Sequence, residues 1–502
     1  MSLIPVEILR LVFGLLSKDK KSLRSCLLVD RTWCESVVSI LWNDPFQFLE
    51  EPSSLIIQTL LSCLNESEPE STILKKEDFS IENLIMNRPT FDYVAFMRHL
   101  KYVNIYESSL VWLTQEGKDT SLGFFVAREL CKLIIKRCKT ILTLSISTEG
   151  MVSFTDENDY VSIPCFPGAP DCLSNLQEFM CCGAYDKKKI FKSMANSCRN
   201  IRRLYVDYYM DDFKTAAPPE LAKLIKNQQG LIEFKLTMYA KVFDIVSALG
   251  SQEKTLSYVE FRGIDFGDDV TFDSLVNCTN LKYLSLHSCD NVTNKTLEPL
   301  TTVSFPNLKT FIFKVIPKPP VALSSFIRSN CISLQELVLE WQQITDPEDD
   351  PEIVETIIEY CPNITSFEGH LKVPQQLIPF LQACSQLRNL TVHGKERVVA
   401  DELLPQLGPL IPAKMSKLNI CAIWTFTPSA LQEFLDLCIA PLEFIGIREC
   451  YDITDEHLDI LARYAEKGSL KYLNIKAASR ITKEGLENIC SVVDVIEHSD
   501  PS

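Results

Sequence analysis

The chain has 502 residues, 46% of them hydrophobic and 23% charged, with a formal net charge of −16. Length alone is a prior for about three domains, and the composition excludes a largely disordered or collagen-like chain. The acidic excess argues against non-specific nucleic-acid binding and against docking on an anionic membrane, and no run of about 18 uncharged apolar residues is present to span a bilayer.

The first element lies in residues 3–42. It reads Leu3-Ile4-Pro5-Val6-Glu7-Ile8-Leu9, then Leu11-Val12-Phe13, Leu15-Leu16, Leu23-Arg24-Ser25-Cys26-Leu27-Leu28-Val29, Arg31-x-Trp33 and Ile40-Leu41-Trp42. Pro5 suits the first turn of a helix, where its missing amide leaves no bond unmade. Ile8, Leu9, Val12, Phe13 and Leu16 recur at helical spacing, as do Cys26, Val29 and Trp33. A helical unit of about 40 residues has a marginal core and needs a partner or a neighbouring domain over its apolar faces. This segment resembles an F-box: Leu/Ile-Pro-x-Glu-Ile/Leu-Leu, an apolar-Phe pair, an apolar-Leu pair, Leu-x-x-Cys-x-x-Val-x-x-x-Trp and a closing Leu-Trp are matched at nearly every position. Asp30 departs from the Cys or Asn frequent there. The resemblance implies binding to the Skp-type adaptor of an SCF (cullin-RING) ubiquitin ligase. Carried over by position, Ile4, Pro5, Ile8, Leu9, Phe13, Leu16, Leu28, Val29 and Trp33 are the residues that contact the adaptor or support those that do, with Pro5, Ile8 and Leu9 expected first at the contact. Residues 1–42 carry a net charge of +2 and the remainder −18. Adaptors of this family are generally acidic, so that charge would help steer encounter while the apolar contacts dominate affinity. The competing reading is a generic helical cap on a solenoid.

Residues 44–96 form a connector with one apolar helical stretch, Leu55 to Leu64, and a polar piece, Asn65 to Ser71. The resemblance implies that it packs on the first repeat as a rigid spacer.

From residue 97 to 490 one pattern recurs: an apolar residue, two variable, an apolar residue, one variable, an apolar residue. Copies preceded by Cys include Cys138-Ile141-Leu144-Ile146, Cys198-Ile201-Leu204-Val206, Cys278-Leu281-Leu284-Leu286, Cys331-Leu334-Leu337-Leu339 and Cys384-Leu387-Leu390-Val392. Others include Leu231-Phe234-Leu236, Leu308-Phe311-Phe313, Leu442-Ile445-Ile447 and, more weakly, Leu100-Val103-Ile105. There are about fourteen copies, mostly spaced about 23 to 30 residues, which fits leucine-rich repeats. Alternate strand residues face one side, so the last two apolar positions point into a core, and stacking in parallel buries it. Gly369 is the main exception among these core pairs. Helical return segments are expected at Leu297 to Leu300, Ile353 to Ile358, Leu458 to Tyr464 and Leu486 to Cys490. Leu284-x-Leu286-x-x-Cys289-x-x-Val292-Thr293, Ile445-x-Ile447-x-x-Cys450-x-x-Ile453-Thr454-Asp455 and Leu473-x-Ile475 with Ile481-Thr482 resemble the cysteine-containing subclass of leucine-rich repeat. Thr293, Thr454 and Thr482 are placed to cap helices. The expected fold is an α/β solenoid: a small helical F-box (1–43), the connector (44–96), a horseshoe of repeats with parallel concave strands and convex helices (97–490), and a tail (491–502). Polar interruptions fall at Glu107 to Thr120, Thr148 to Asp171 and the acidic Gln343 to Glu352.

Strand residues alternating with the core pair face the concave side. The column after the second core residue reads Tyr106, Ser147, Cys182, Asp207, Thr237, Arg262, His287, Lys314, Glu340, His370, His393, Cys421, Arg448 and Lys476. Its mixed polarity suits protein recognition. Because Tyr, Trp and Arg dominate hot spots, Tyr205, Tyr208, Tyr209, Arg262, His287, Trp424 and Arg448 are candidates for substrate contact.

The nineteen cysteines are expected to be reduced and buried, since Ile8 to Leu16 lacks the preceding positive charge of a secretory signal. Sequons at Asn65, Asn277, Asn291, Asn294, Asn363 and Asn389 then read as chance matches. Cys-x-x-Cys knuckle pairs, His-x-x-x-His, Gly-x-x-x-x-Gly-Lys-Ser/Thr, Gly-x-Ser-x-Gly and His-Glu-x-x-His do not occur, so no catalytic residue, metal or cofactor is expected. The resulting expectation is a non-catalytic substrate-recognition subunit of an SCF-type ligase in cytoplasm or nucleus, with a protein client left unidentified. The alternatives are an F-box/repeat scaffold without a degradative role, and a solenoid inhibitor or enzyme with a helical cap.

Overall fold

The computed structural model describes residues 5–65, 68–76, 89–147, 161–183, 186–208, 218–237, 242–316, 319–341, 352–373, 375–450, 452–476 and 480–497. The chain divides into two compact units, residues 1–239 with 247–256 and residues 240–246 with 257–502.

The first unit opens with three helices, α1 (Val6–Leu15), α2 (Lys20–Cys26) and α3 (Arg31–Leu41). Pro5 stands just before α1, where its carbonyl accepts from the Ile8 and Leu9 amides. Asp19 and Asp30 cap α2 and α3, accepting from Ser22 N–H at 3.1 Å and Trp33 N–H at 2.8 Å. The unusual Asp30 is therefore an N-cap, a role Asp fills as well as Asn. Leu9, Phe13, Leu23 and Val37 make the core, with Leu16, Cys26, Leu27 and Trp33 around them. The Phe13 and Trp33 rings meet edge-on at 5.0 Å. Among the described residues the connector then holds α4 (Ser54–Ser62), α5 (Pro69–Lys76) and the single turn α6 (Tyr93–Phe96).

The repeat pattern becomes a parallel ladder. In the first unit lie β1 (His99–Lys101), β2 (Thr143–Ser147), β3 (Glu178–Cys182), β4 (Arg203–Asp207) and β5 (Glu233–Thr237). Each pairs in parallel with the next, Leu144 beside Phe179 and Leu204 beside Phe234. In the second unit lie β6 (Tyr258–Arg262), β7 (Tyr283–Asp290), β8 (Thr310–Ile316), β9 (Glu336–Trp341), β10 (Ser366–His370), β11 (Asn389–Val399), β12 (Lys417–Thr425), β13 (Phe444–Arg448), β14 (Tyr472–Lys476) and β15 (Asp494–Glu497), again parallel and in chain order. β15 extends the ladder beyond residue 490, where the sequence pattern stops.

Helices return the chain from one strand to the next. Asn294–Thr301, Ile353–Tyr360, Asp455–Glu466 and Lys483–Cys490 cover the four expected segments. Thr293 and Thr454 form capping boxes, and Thr482 accepts from Gly485 N–H. Buried amides stitch successive turns together. Gln228 accepts from Ile201 N–H, Gln252 from Leu231 N–H and Asn330 from Phe305 N–H.

All nineteen cysteines are thiols rather than halves of disulfides. Repeat cysteines pack as small apolar groups whose thiols face a carbonyl of the preceding repeat, Cys289 to Phe261 O at 3.5 Å and Cys450 to Ala422 O at 3.4 Å. Burial pushes both thiols up to about 12, so they stay protonated and unreactive.

Some expectations are corrected. Only Leu100 of the weak first copy lies on a strand, because Tyr102–Gln115 is a helix that contains Val103, Ile105 and Tyr106. Tyr106 therefore leaves the strand column, and most of the Glu107–Thr120 interruption belongs to that helix, which buries Ser108, Ser109, Trp112 and Leu113. In the second interruption, residues 148–160 lie outside the described residues, and Ala169–Cys172 forms a helical turn. The acidic stretch 346–351 also lies outside them, and Glu352 stands at the N-cap position of the next helix without a side-chain capping bond. Among the described residues no helix is long and apolar enough to cross a membrane.

Candidate functional site

Two surfaces stand out. The first is on α1. Its inward stripe, Leu9 and Phe13, is core, while Ile8, Leu11, Val12 and Leu15, at i, i+3, i+4 and i+7, form a second stripe facing solvent. Leu28 and Val29, in the turn after α2, are also exposed. Leu15 is 88% exposed and Leu28 83%. Large apolar side chains at this exposure mark a surface made to be covered. Of the residues assigned by resemblance, Pro5, Ile8, Leu28 and Val29 are exposed and Leu16 and Trp33 half-buried. Leu9, expected at the contact, is core instead, because it shares the inward face with Phe13. Phe13 supports from the same core. Ile4 lies outside the described residues. The sequence reading did not assign Leu11 and Leu15, although the i, i+3, i+7 spacing from Ile8 reveals them.

The second surface is the open face of the ladder, on the side away from the helices. In the second unit Arg262, His287, Lys314, Glu340, His370, His393, Cys421 and Arg448 succeed one another across β6 to β13. The six from His287 to Cys421 border a pocket of about 450 Å³ whose walls also include Trp341 and Glu449. Lys314 Nζ lies 2.8 Å from Glu368 Oε1 and 3.1 Å from Glu340 Oε2, and His393 Nε2 is 3.6 Å from the same Glu368 oxygen. His393, then Lys314, hold the Glu368 carboxyl down at about 2, against the opposing effect of burial. Burial, with Arg262 and Lys314 nearby, lowers the His287 pKa. The Trp341 and His370 rings lie 6.0 Å apart, and those of His370 and His393 5.6 Å. Ser288 and Glu449, also on the wall, hold left-handed backbone at φ 52° and 66°. These strained non-glycine positions come directly after the column residues His287 and Arg448.

The other candidates divide. Arg262 is exposed, 3.3 Å from Glu260, and Arg448 is half-buried. In the first unit Tyr205 sits on the open face and donates to Glu233 Oε2 at 2.6 Å. Tyr208 and Trp424 are not surface residues. Tyr208 is buried, with Lys187 Nζ 4.7 Å from its ring centre, and Trp424 is buried in phase with Leu418 and Ile420. Tyr209 lies outside the described residues. Glu368 was missed because it sits between the two core positions of its strand. That middle column (Glu260, Ser285, Ile312, Val338, Glu368, Thr391, Asn419, Gly446, Asn474) faces outward by the same alternation.

Parallel strands in chain order, a buried apolar-x-apolar column and helical returns define a leucine-rich-repeat protein of the α/β solenoid class. No family model matches the sequence, and no curated protein matches it. Solved structures similar to it include an internalin, InlF, from Listeria monocytogenes (15% identity, 74% of this chain and 89% of that one, TM-score 0.36). A leucine-rich-repeat protein of Leptospira interrogans (14% identity, 70% and 95%, TM-score 0.38) and a chain of the yeast Rad7–Elc1 complex (14% identity, 77% and 85%, TM-score 0.38) are similar too.

Proposed function

We propose that the chain is a substrate-recognition subunit of an SCF-type ubiquitin ligase. Its N-terminal helices bind a Skp-type adaptor, and its repeats hold a protein client for ubiquitination on partner subunits. The observation that carries this reading is the second apolar stripe of α1, with Leu28 and Val29 also uncovered, in a segment that matches the F-box pattern. A helical cap would turn its apolar residues inward.

The test uses residues that are exposed, so that folding and binding separate. Leu15→Asp and Leu28→Asp are expected to leave the melting temperature within about 2 °C, since surface changes cost little, and to abolish retention of the adaptor in a pull-down. Leu9→Asp is expected to unfold the helical head. If the wild type fails to retain the adaptor, the reading is lost. Client turnover that is insensitive to a cullin inhibitor would favour the scaffold role instead.

A further inference from the structure

In the first unit the helices leading into β4 and β5, Lys187–Ser197 and Pro218–Lys226, lie side by side, and Asn227 Nδ2 donates to Ala195 O at 2.7 Å. Their inward faces bury Ile190, Phe191 and Met194 on one and Leu221, Leu224 and Ile225 on the other. Helical spacing then turns Lys188, Lys189, Lys192, Lys223 and Lys226 outward, and all five are exposed. Residues 187–206 hold seven cationic side chains and no acidic one, in a chain of net charge −16. Among the described residues no carboxylate pairs with Lys188, Lys192, Lys223 or Lys226, while Lys189 meets Asp186 at 3.0 Å. Helix Gly123–Arg137 shows the contrast. There Arg128 and Lys132 share Glu129, and Lys136 and Arg137 both reach Glu68.

A second observation concerns helix stability. Lys188 and Lys192 stand at i and i+4, and Lys223 and Lys226 at i and i+3, spacings at which like charges on one helix repel. Lys188 and Lys189 also occupy a first turn, where the amide dipoles favour acids. The pattern therefore works against the helices that carry it, and an anion from outside the chain offsets both effects. The other exposed residues of the two helices are Asn196 and Pro219. The face thus has no ring to stack on a base and no large apolar side chain to enter a bilayer. A nucleic-acid duplex or a membrane would also set a broad negative surface against a chain of net charge −16. An extended acidic segment can meet the lysines and little else.

We propose that this helical face docks an acidic, Asp/Glu-rich segment of a partner protein. The site is separate from the adaptor and client surfaces, since it uses neither α1 nor the open face of the ladder.

The test titrates the full-length protein, at low ionic strength where exposed charges are little screened, into fluorescein-labelled dodecapeptides alternating Ser with Glu or Gln. An oligothymidylate of the same length, and labelled vesicles of equimolar phosphatidylcholine and phosphatidylserine, serve as competing anions. The Glu peptide is expected to bind at least about tenfold tighter than the Gln peptide. The double variants Lys188→Gln/Lys192→Gln and Lys223→Gln/Lys226→Gln are each expected to weaken it about three- to tenfold, the loss of two exposed ion pairs. Lys282→Gln/Lys309→Gln, the same charge change at exposed lysines of the second unit, is expected to leave it unchanged. All these lysines are exposed, so the variants are expected to keep the wild-type melting temperature. Equal binding of the Glu and Gln peptides overturns the proposal, as does an equal loss with Lys282→Gln/Lys309→Gln. Oligothymidylate or vesicle binding that is tighter than the Glu peptide's, and that falls in the same lysine variants, overturns the choice of a protein partner.

Discussion

His457 holds two repeats with one neutral ring. Its Nδ1 accepts from Thr454 N–H at 3.1 Å, which fixes the proton on Nε2, and Nε2 donates to Phe426 O at 3.0 Å. A protonated ring would lose the capping acceptor. Burial already pulls the pKa below the ordinary 6.5. The folded chain therefore binds this proton less readily than the unfolded one. The stability associated with the neutral ring is complete above about pH 6.5 and is lost as pH falls through the depressed value. Urea midpoints measured from pH 7.5 to 5.5 should fall in the wild type. His457→Ala should cost about 2–4 kcal/mol through a lost cap, a stranded carbonyl and a cavity, and should flatten that slope. A slope unchanged by the substitution would assign the pH dependence to other groups.

At the scale of the element, period-2 alternation makes most strands legible. Leu-x-Leu can bury both apolar side chains only if the chain is extended and stacked. Where the pattern misleads, a local exception competes. In Tyr102–Gln115 the buried stripe runs through Ser108 and Ser109, whose small polar side chains look like loop. Ser109 Oγ donates to Ile105 O, and Ser108 Oγ accepts from Ser53 N–H. Trp424 looks like a surface aromatic if β12 ends near Cys421. Traced on to Thr425, the alternation of Leu418, Ile420, Ala422 and Trp424 puts it in the core. The exposed stripe of α1 is legible as apolar spacing but not as a surface, since two apolar stripes on one helix look alike until one finds its core. Gly369 is the opposite case, a break in the column with a packing cause. A Cβ there would lie 2.8 Å from the Phe367 ring tip and 3.1 Å from Leu339 O, and the Phe367 ring fills the space against Phe380. Restoring the repeat consensus with Gly369→Leu should therefore destabilise by about 1–3 kcal/mol through overpacking. A rise in the urea midpoint would contradict that packing account.

Within the first unit the connector joins the helical head to the ladder, a joint that the proposed adaptor role would need to be firm. The Asn43 carbonyl accepts from the Arg98 and His99 amides at 2.9 and 3.2 Å, fastening the end of the helical head to the start of β1. The Trp42 and Tyr93 rings pack at 4.4 Å. Arg137, at the end of helix Gly123–Arg137, reaches Glu68 at 2.7 Å and Asp92 at 3.3 Å, and Lys136 lies 3.6 Å from both Glu68 and Glu70. Burial opposes ionisation of Glu68, yet the Asn65 amide and Arg137 hold its pKa below the usual value. Removing the guanidinium leaves the buried Glu68 carboxylate with less compensation, which costs more than the loss of an exposed pair would. Arg137→Ala should raise amide hydrogen exchange across α4 and α5 in the full chain, with exchange in β7 to β13 and adaptor retention unchanged. Because the Glu68 contribution is present above about pH 4.5 and fades as acid protonates it, the wild type should approach the variant's exchange pattern as pH is lowered towards 4. Exchange in α4 and α5 that ignores the substitution would mean that the backbone clasp at Asn43 and the aromatic packing hold the connector alone, and that the ionic cluster adds nothing to the rigidity of the joint.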